Sequence, residues 1–227
     1  MTLVVGVDGA RGGWVAVWLQ MAQFHSATYF ATLDRLLAET AQALVVAIDL
    51  PIGLTSGKRD ADVQGLELLG PRRNSLFLMP PKELAGLEYM NAQTLWQGKP
   101  GEGFSKQTWA ILPTVLAAAD PIRRADPFGA RIIEVHPELS FMEMAEGRPM
   151  VYSKRTWNGH RERLAVLASH GLSVPDEIGD LRNASPDDVL DAFAAAWTAD
   201  RFWRDEALSV PELPAQRDGE RLIRIWR

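Results

Sequence analysis

Apolar residues form short runs in the first fifty positions of the chain. The runs at residues 3–7, 14–19 and 24–31 are joined by short or glycine-rich connections, which favour antiparallel pairing. Residues 33–40 carry leucines at helical spacing, and the nearly unbroken apolar run at 43–50 is typical of a strand buried on both faces. These patterns predict three antiparallel strands, a short helix and then a parallel strand.

The pattern loosens after residue 50. From about residue 52 to 129, paired prolines at 80 and 81, the glycines of residues 97–104 and short helical stretches predict an insertion or lid. Within it, a helix is predicted at 114–119, ending before Pro121. A strand at 131–135, helices at 138–145, 156–169 and 185–202, and a last edge strand at 221–226 follow. The prediction is a single α/β domain over residues 1–227.

Composition narrows the class of protein. The chain has 227 residues, of which 47% are hydrophobic, enough for one substantial core. It has no cysteine, which excludes disulfides, thiolate zinc sites and cysteine nucleophiles. No signal-peptide pattern and no apolar run of roughly 18 residues are present, so we expect a cytoplasmic protein without a membrane partner. The net charge of −5 gives no global basic field for nucleic acid, although carboxylates at a metal site would contribute to it.

Four acidic residues lie at positions where secondary structure alone does not account for an acidic side chain. Asp8 and Asp49 each end an apolar strand, Glu134 closes a third, and Asp191 lies inside the last long helix. An acid at the end of a Val/Ile run is a poor strand former and is costly to bury unpaired. Asp8 could instead begin a hairpin turn with Gly9. If these carboxylates meet, a hard cation such as Mg²⁺ or Mn²⁺ would make their proximity tolerable.

Three nearby residues have both a structural and a chemical interpretation. Asp188 completes a capping box at the helix start, yet it lies on the same flank of the helix as Asp191. His136 lies on the same side of its strand as Glu134; it could hydrogen-bond a metal ligand, shuttle a proton or be purely structural. Glu138 could complement the N-terminus of the following helix. The sequence leaves these alternatives open.

A family resemblance rests on a combination of segments that runs from about residue 3 to residue 226. These segments are GVDGARGGWVAV, AIDLPIGL, LGPRR with SLF, FSKQTW, EVHPELSF, SKRTWNGHRER and DDVLDAFAAAWTA. They resemble the predicted-nuclease family with a ribonuclease H-like fold, catalogued as domain of unknown function 429. The resemblance implies a mixed five-stranded central sheet, three antiparallel strands then two parallel ones, flanked by helices. The insertion would follow the fourth strand.

The resemblance also bears on the acids. Holliday-junction resolvases of the wider superfamily carry one acid on the first strand, one on the fourth and a pair on the last helix. In this sequence these positions fall on Asp8, Asp49, Asp188 and Asp191. Glu134, His136 and Glu138 have no counterpart there and look like a signature of the narrower family.

The acids and the resemblance together predict a metal-dependent nuclease that hydrolyses phosphodiester bonds by a two-metal-ion mechanism. The predicted ligands of Mg²⁺ or Mn²⁺ are Asp8, Asp49, Glu134, Asp188 and Asp191, with His136 as a further catalytic residue. The residues predicted to bind phosphate of an RNA or DNA substrate are Arg72, Gln107, Lys154 and Arg161. Two alternatives remain: a non-catalytic module that binds nucleic acid or protein, and an ATP-dependent phosphotransferase-like activity.

Overall fold

A five-stranded mixed sheet forms the centre of the protein. The structure is a computed structural model that describes residues 3–96 and 103–227, so most of the predicted glycine-rich stretch at 97–104 lies outside the described residues. The strands stand in the order β3-β2-β1-β4-β5. β1 to β3 pair antiparallel, β4 runs parallel to β1, and β5 runs parallel to β4. The predicted mixed α/β sheet is confirmed, with β1 Leu3–Ala10, β2 Gly13–Gln20, β3 Gln23–Phe30, β4 Val45–Ile48 and β5 Ile132–Glu134.

Helices cover both faces of this sheet. One face packs against the alanine-rich helix α7, and the other packs against α1 and α4. The segment between β4 and β5 contains α2, two short 3₁₀ helices, α3 and α4. The helices are α1 Leu33–Glu39, α2 Asp60–Leu69, α3 Tyr89–Leu95, α4 Lys106–Ala125, α5 Pro137–Met144, α6 Trp157–Ser169 and α7 Pro186–Trp203, with 3₁₀ helices Gly70–Ser75 and Lys82–Leu84. No helix among the described residues is long and apolar enough to cross a membrane.

Two sequence predictions of element boundaries are wrong. Helix α4 does not end before Pro121 but continues through it, and through Pro113, to residue 125. Each proline removes one intrahelical donor, but the buried stripe Leu112, Val115, Ala118 and Ile122 packs the helix onto the sheet and outweighs that loss.

The predicted edge strand at 221–226 is instead two separate short strands. β8 Arg221–Leu222 pairs with β7 Arg217–Asp218, and β9 Ile225–Trp226 pairs with β6 Ser209–Val210. The turn between β7 and β8 contains Gly219 at φ 62°. This left-handed backbone conformation, which glycine readily adopts, lets β8 fold back on β7 as a hairpin. A β-bridge from Val135 to Trp226 joins this region to the edge of the main sheet.

Backbone meets backbone where β1 crosses α7. A Cβ built on Gly6 would overlap the backbone nitrogen of Ala196 and the carbonyl oxygen of Ala192. Only glycine allows the two backbones to approach so closely, and the alanines of α7 help because their side chains project little from the helix. The consequence for function is that α7 lies directly on the strand that carries Asp8, and Asp191 lies on this same helix.

Candidate metal centre

Three of the predicted acids come together at the carboxyl end of the parallel strands. Asp8 lies near the end of β1, and Asp49 directly follows β4, where its backbone N–H donates to the Val7 carbonyl at 2.9 Å. Parallel neighbours end at the same edge of a sheet, so the two carboxyls face one crevice. Asp191 enters from α7. Asp8 and Asp191 are buried, and Asp49 is half-buried.

The electrostatics of Asp8 and Asp191 show how close the three carboxyls are. Burial raises the pKa of Asp8 well above its ordinary value, and the neighbouring carboxylates of Asp49 and Asp191 raise it further. Burial also raises the pKa of Asp191 to about 6, although Lys154 acts in the opposite direction. Both shifts have the sign that desolvation and like charges produce. A cation at this point would stabilise the ionised forms.

Lys154 already brings one positive charge to the acids. Its Nζ donates a hydrogen bond to Asp191 Oδ2. Burial alone would lower the pKa of Lys154, but the carboxylates of Asp191, Asp8 and Asp49 raise it above its ordinary value. The other oxygen of that carboxylate, Asp191 Oδ1, is buried and has no hydrogen-bond partner within the described structure.

The carboxylate oxygens of the three acids are donors that suit a hard divalent cation, but they are not positioned as the ligands of a metal ion. Within residues 3–96 and 103–227, no group of three or more His, Asp or Glu side chains is arranged as a metal-ligand set. The Asp191 carboxylate instead accepts a hydrogen bond from Lys154. Carboxylate oxygens are the ligands that Mg²⁺ and Mn²⁺ prefer, and the unpartnered Asp191 Oδ1 offers one. The chemical character of these side chains is therefore suited to binding a divalent cation.

A cavity of about 890 Å³ opens in front of the acids. Its walls come from the end of β1 and the following turn, from the loop that carries Lys154, and from the segment between β4 and β5. A volume of this size is typical of small-molecule and cofactor pockets. Three of the four residues predicted to bind phosphate line the cavity: Arg72, Gln107 and Lys154. Arg155, which was not among the predicted phosphate-binding residues, lines it as well.

The family model described as "Protein of unknown function (DUF429)" matches residues 6–216 of the chain. The chain belongs to the DUF429 family. Neither a curated protein nor a solved structure matches it. The chemistry of this DUF429 protein is therefore argued from its own residues.

Glu134, a predicted metal ligand of the DUF429 chain, is bound to an arginine. Its Oε2 accepts from Arg59 Nη2 at 2.5 Å and from the Ile52 backbone N–H at 2.6 Å. Arg59 also donates to Asp62 at 2.8 Å, and all three side chains are buried. Burial outweighs the guanidinium and raises the pKa of Glu134 to about 7. This triad fixes the insertion to β5; a role of Glu134 as a ligand stays a prediction.

His136 and Glu138 line the cavity beside this triad. His136 Nε2 donates to the Ser75 carbonyl at 3.1 Å, while its Nδ1 is buried without a partner among the described residues. Glu138 accepts hydrogen bonds from the fully buried Arg163 and, at 3.5 Å, from Arg72. Arg163 was missed as a site residue. Its spacing with Gly159 and Leu167, four residues on either side, could have revealed it because all three lie on the buried face of α6.

Asp188 and Arg161 have contacts of their own outside the cavity. Asp188 Oδ2 accepts from the Ser185 backbone N–H at 2.8 Å, and the Ser185 side chain accepts from the Asp188 N–H in return, so the capping box is present. Arg161 is exposed, with its guanidinium 6.0 Å from the centre of the Trp157 ring. Neither residue is among the described residues that line the cavity.

Proposed function

We propose that this DUF429 protein is a Mg²⁺- or Mn²⁺-dependent phosphodiesterase with a ribonuclease H-like fold, acting on nucleic acid. The observation that carries the proposal is the convergence of Asp8, Asp49 and Asp191 from three separate elements on one cavity. The carboxylates of Asp49 and Asp191 both raise the pKa of the buried Asp8, and Asp191 Oδ1 is buried without a partner in the described structure. Such a cluster is costly in the free protein and is relieved by a divalent cation.

The fold supports the proposal independently of the acids. The strand order, with three antiparallel strands followed by two parallel ones, agrees with what the family resemblance implies. The acids lie at the carboxyl ends of β1 and β4, where ligands bind in open sheets that contain parallel strands. The insertion then forms a wall of the cavity rather than part of the sheet.

Each group of the site would have a distinct task. A bound Mg²⁺ or Mn²⁺ supplies Lewis acidity and lowers the pKa of a water molecule that it binds. Asp8, Asp49 and Asp191 would hold it in the ligand role that carboxylates commonly fill. Arg72 and Arg155 line the same cavity and would offset the charge of a substrate phosphate.

The test is cleavage of RNA and DNA oligonucleotides in Mn²⁺ by variants that differ by one carboxyl oxygen. We expect Asp8→Asn and Asp49→Asn to abolish cleavage while circular dichroism shows a folded protein. Asp188→Asn is the matched control and should retain cleavage, because its amide oxygen can still accept the capping hydrogen bond. Cleavage that survives both Asp8→Asn and Asp49→Asn would contradict the proposal. Nucleic-acid binding without cleavage or metal would instead favour a binding module, and thermal stabilisation by ATP a phosphotransferase.

A further inference from the structure

Lys154 has a position that the proposed function alone does not explain. Its ammonium bonds Asp191 Oδ2 and lies close enough to Asp8 and Asp49 to interact electrostatically with both. We infer that Lys154 is a resident cation that occupies the place of a second metal ion, so that the acid cluster binds one divalent cation rather than two. This inference rests on the proposed function and replaces the two-ion arrangement expected from the sequence.

The two oxygens of the Asp191 carboxylate are already divided. Oδ2 is bonded to Lys154, and Oδ1 is buried and unpartnered in the described structure. Ions of a two-metal site stand about 3.5–4 Å apart, a separation that a carboxylate can span with one oxygen on each ion. With Oδ2 bonded to the ammonium, only Oδ1 is available to a metal ion.

The formal charges agree with a single ion. With a divalent cation bound, three carboxylates and the ammonium bonded to Asp191 would carry a net charge that this one cation neutralises. A second divalent cation would leave an excess of positive charge within a few ångströms of the half-buried Lys154. Positive charges at that separation repel strongly in a partly buried site.

The loop before α6 keeps Lys154 at the acids. The backbone N–H groups of Val151 and Tyr152 donate to the Glu162 carboxylate at 2.8 and 3.0 Å, and Arg163 donates to the Tyr152 carbonyl at 3.3 Å. The backbone carbonyl of Ser153 is packed so closely on α6 that a Cβ at Gly159 would overlap it. The residue that precedes Lys154 is thus fixed, and so is the point from which the lysine extends.

The decisive experiment counts bound ions. Mn²⁺ is titrated into the 227-residue protein, and free Mn²⁺ is followed by electron paramagnetic resonance. We expect one bound ion per wild-type chain and two per Lys154→Met chain, because methionine keeps the length of the side chain and removes its charge. Lys154→Arg should retain one ion. Lys82→Met, at an exposed lysine of the Lys82–Leu84 turn, should behave as the wild type.

Each outcome separates the inference from the proposed function. Two ions bound per wild-type chain would overturn the inference and leave the proposed function standing, whether or not the variant folds. One ion bound by Lys154→Met would also overturn the inference, because the lysine would not be what excludes a second ion. Failure of every variant and of the wild type to bind Mn²⁺ would overturn the proposed function and the inference with it.

Discussion

Substitution of Gly6 by alanine tests how the fold builds the site. The added Cβ would overlap two backbone atoms of α7 and lie 2.6 Å from the Ala196 Cα, whereas ordinary contacts begin at 3.4 Å. The nearest atom, the Ala196 backbone nitrogen, would lie 2.0 Å from the Cβ, so the helix must retreat from β1 by about 1.4 Å to restore an ordinary contact. The obstructing atoms belong to the backbone, so no side-chain rotation can relieve the clash.

The expected cost has two parts. Overpacking of this kind destabilises the fold by about 1–3 kcal/mol. Asp191 moves with α7, and ligand groups need to be held to roughly 0.5 Å for a functional site. We therefore expect Gly6→Ala to weaken Mn²⁺ binding at least about tenfold, in addition to its loss of stability.

Urea unfolding and Mn²⁺ titration of Gly6→Ala measure the two parts separately. Gly9→Ala is the matched control, because it lies on the same strand and a Cβ there meets no atom within 4 Å. Its stability should stay within about 0.5 kcal/mol of the wild type. If Gly6→Ala is as stable as Gly9→Ala and binds Mn²⁺ equally well, the close contact between β1 and α7 is not what positions Asp191.

Two further predictions concern the buried ion pairs. Arg163→Met should lower the free energy of unfolding by about 3–5 kcal/mol because it leaves the buried Glu138 without its main cation. Arg161→Met, at an exposed position two residues away, should change that free energy by less than about 0.5 kcal/mol. If urea unfolding shows the same change for both variants, the burial assigned to Arg163 is contradicted. Burial raises the pKa of Glu134 from 4.5 to about 7, so the wild type should lose stability relative to Glu134→Gln as pH rises through that window, by about 3 kcal/mol in total. A difference that stays constant between pH 4.5 and 7.5 would refute this.

The sign of the Glu134 effect follows from its protonation. Below pH 4.5 the side chain is protonated in both the folded and the unfolded protein, so pH has no effect on the comparison. Between pH 4.5 and about 7 only the unfolded chain releases the proton, which favours unfolding. Above about pH 7 both states are ionised and the difference is again constant.

The sheet could be predicted because its signals are local. Short apolar runs separated by short or glycine-rich turns specify β1 to β3, and the buried run at 43–50 specifies β4. The end of α4 could not be predicted in this way, because the tertiary packing of its apolar stripe decides whether the helix continues past Pro121. Local proline preference was the weaker effect.

The site was only partly predictable for the same reason. Asp8, Asp49 and Asp191 could be found because each lacks a local structural role. Glu134 looked equally unexplained, but its partner Arg59 is 75 residues away in the sequence. The contact of Lys154 with Asp191 likewise spans 37 residues. Pairings at such distances depend on the placement of loops, which hydrophobic periodicity does not encode.

The most direct test of the central claim is a crystal structure of the protein soaked with Mn²⁺, with the metal located by its anomalous scattering. The account predicts one peak, at roughly 2.1 Å from carboxylate oxygens of Asp8, Asp49 and Asp191, with the Lys154 ammonium still bonded to Asp191. No peak at these acids under millimolar Mn²⁺, or a peak held by other residues, would contradict it.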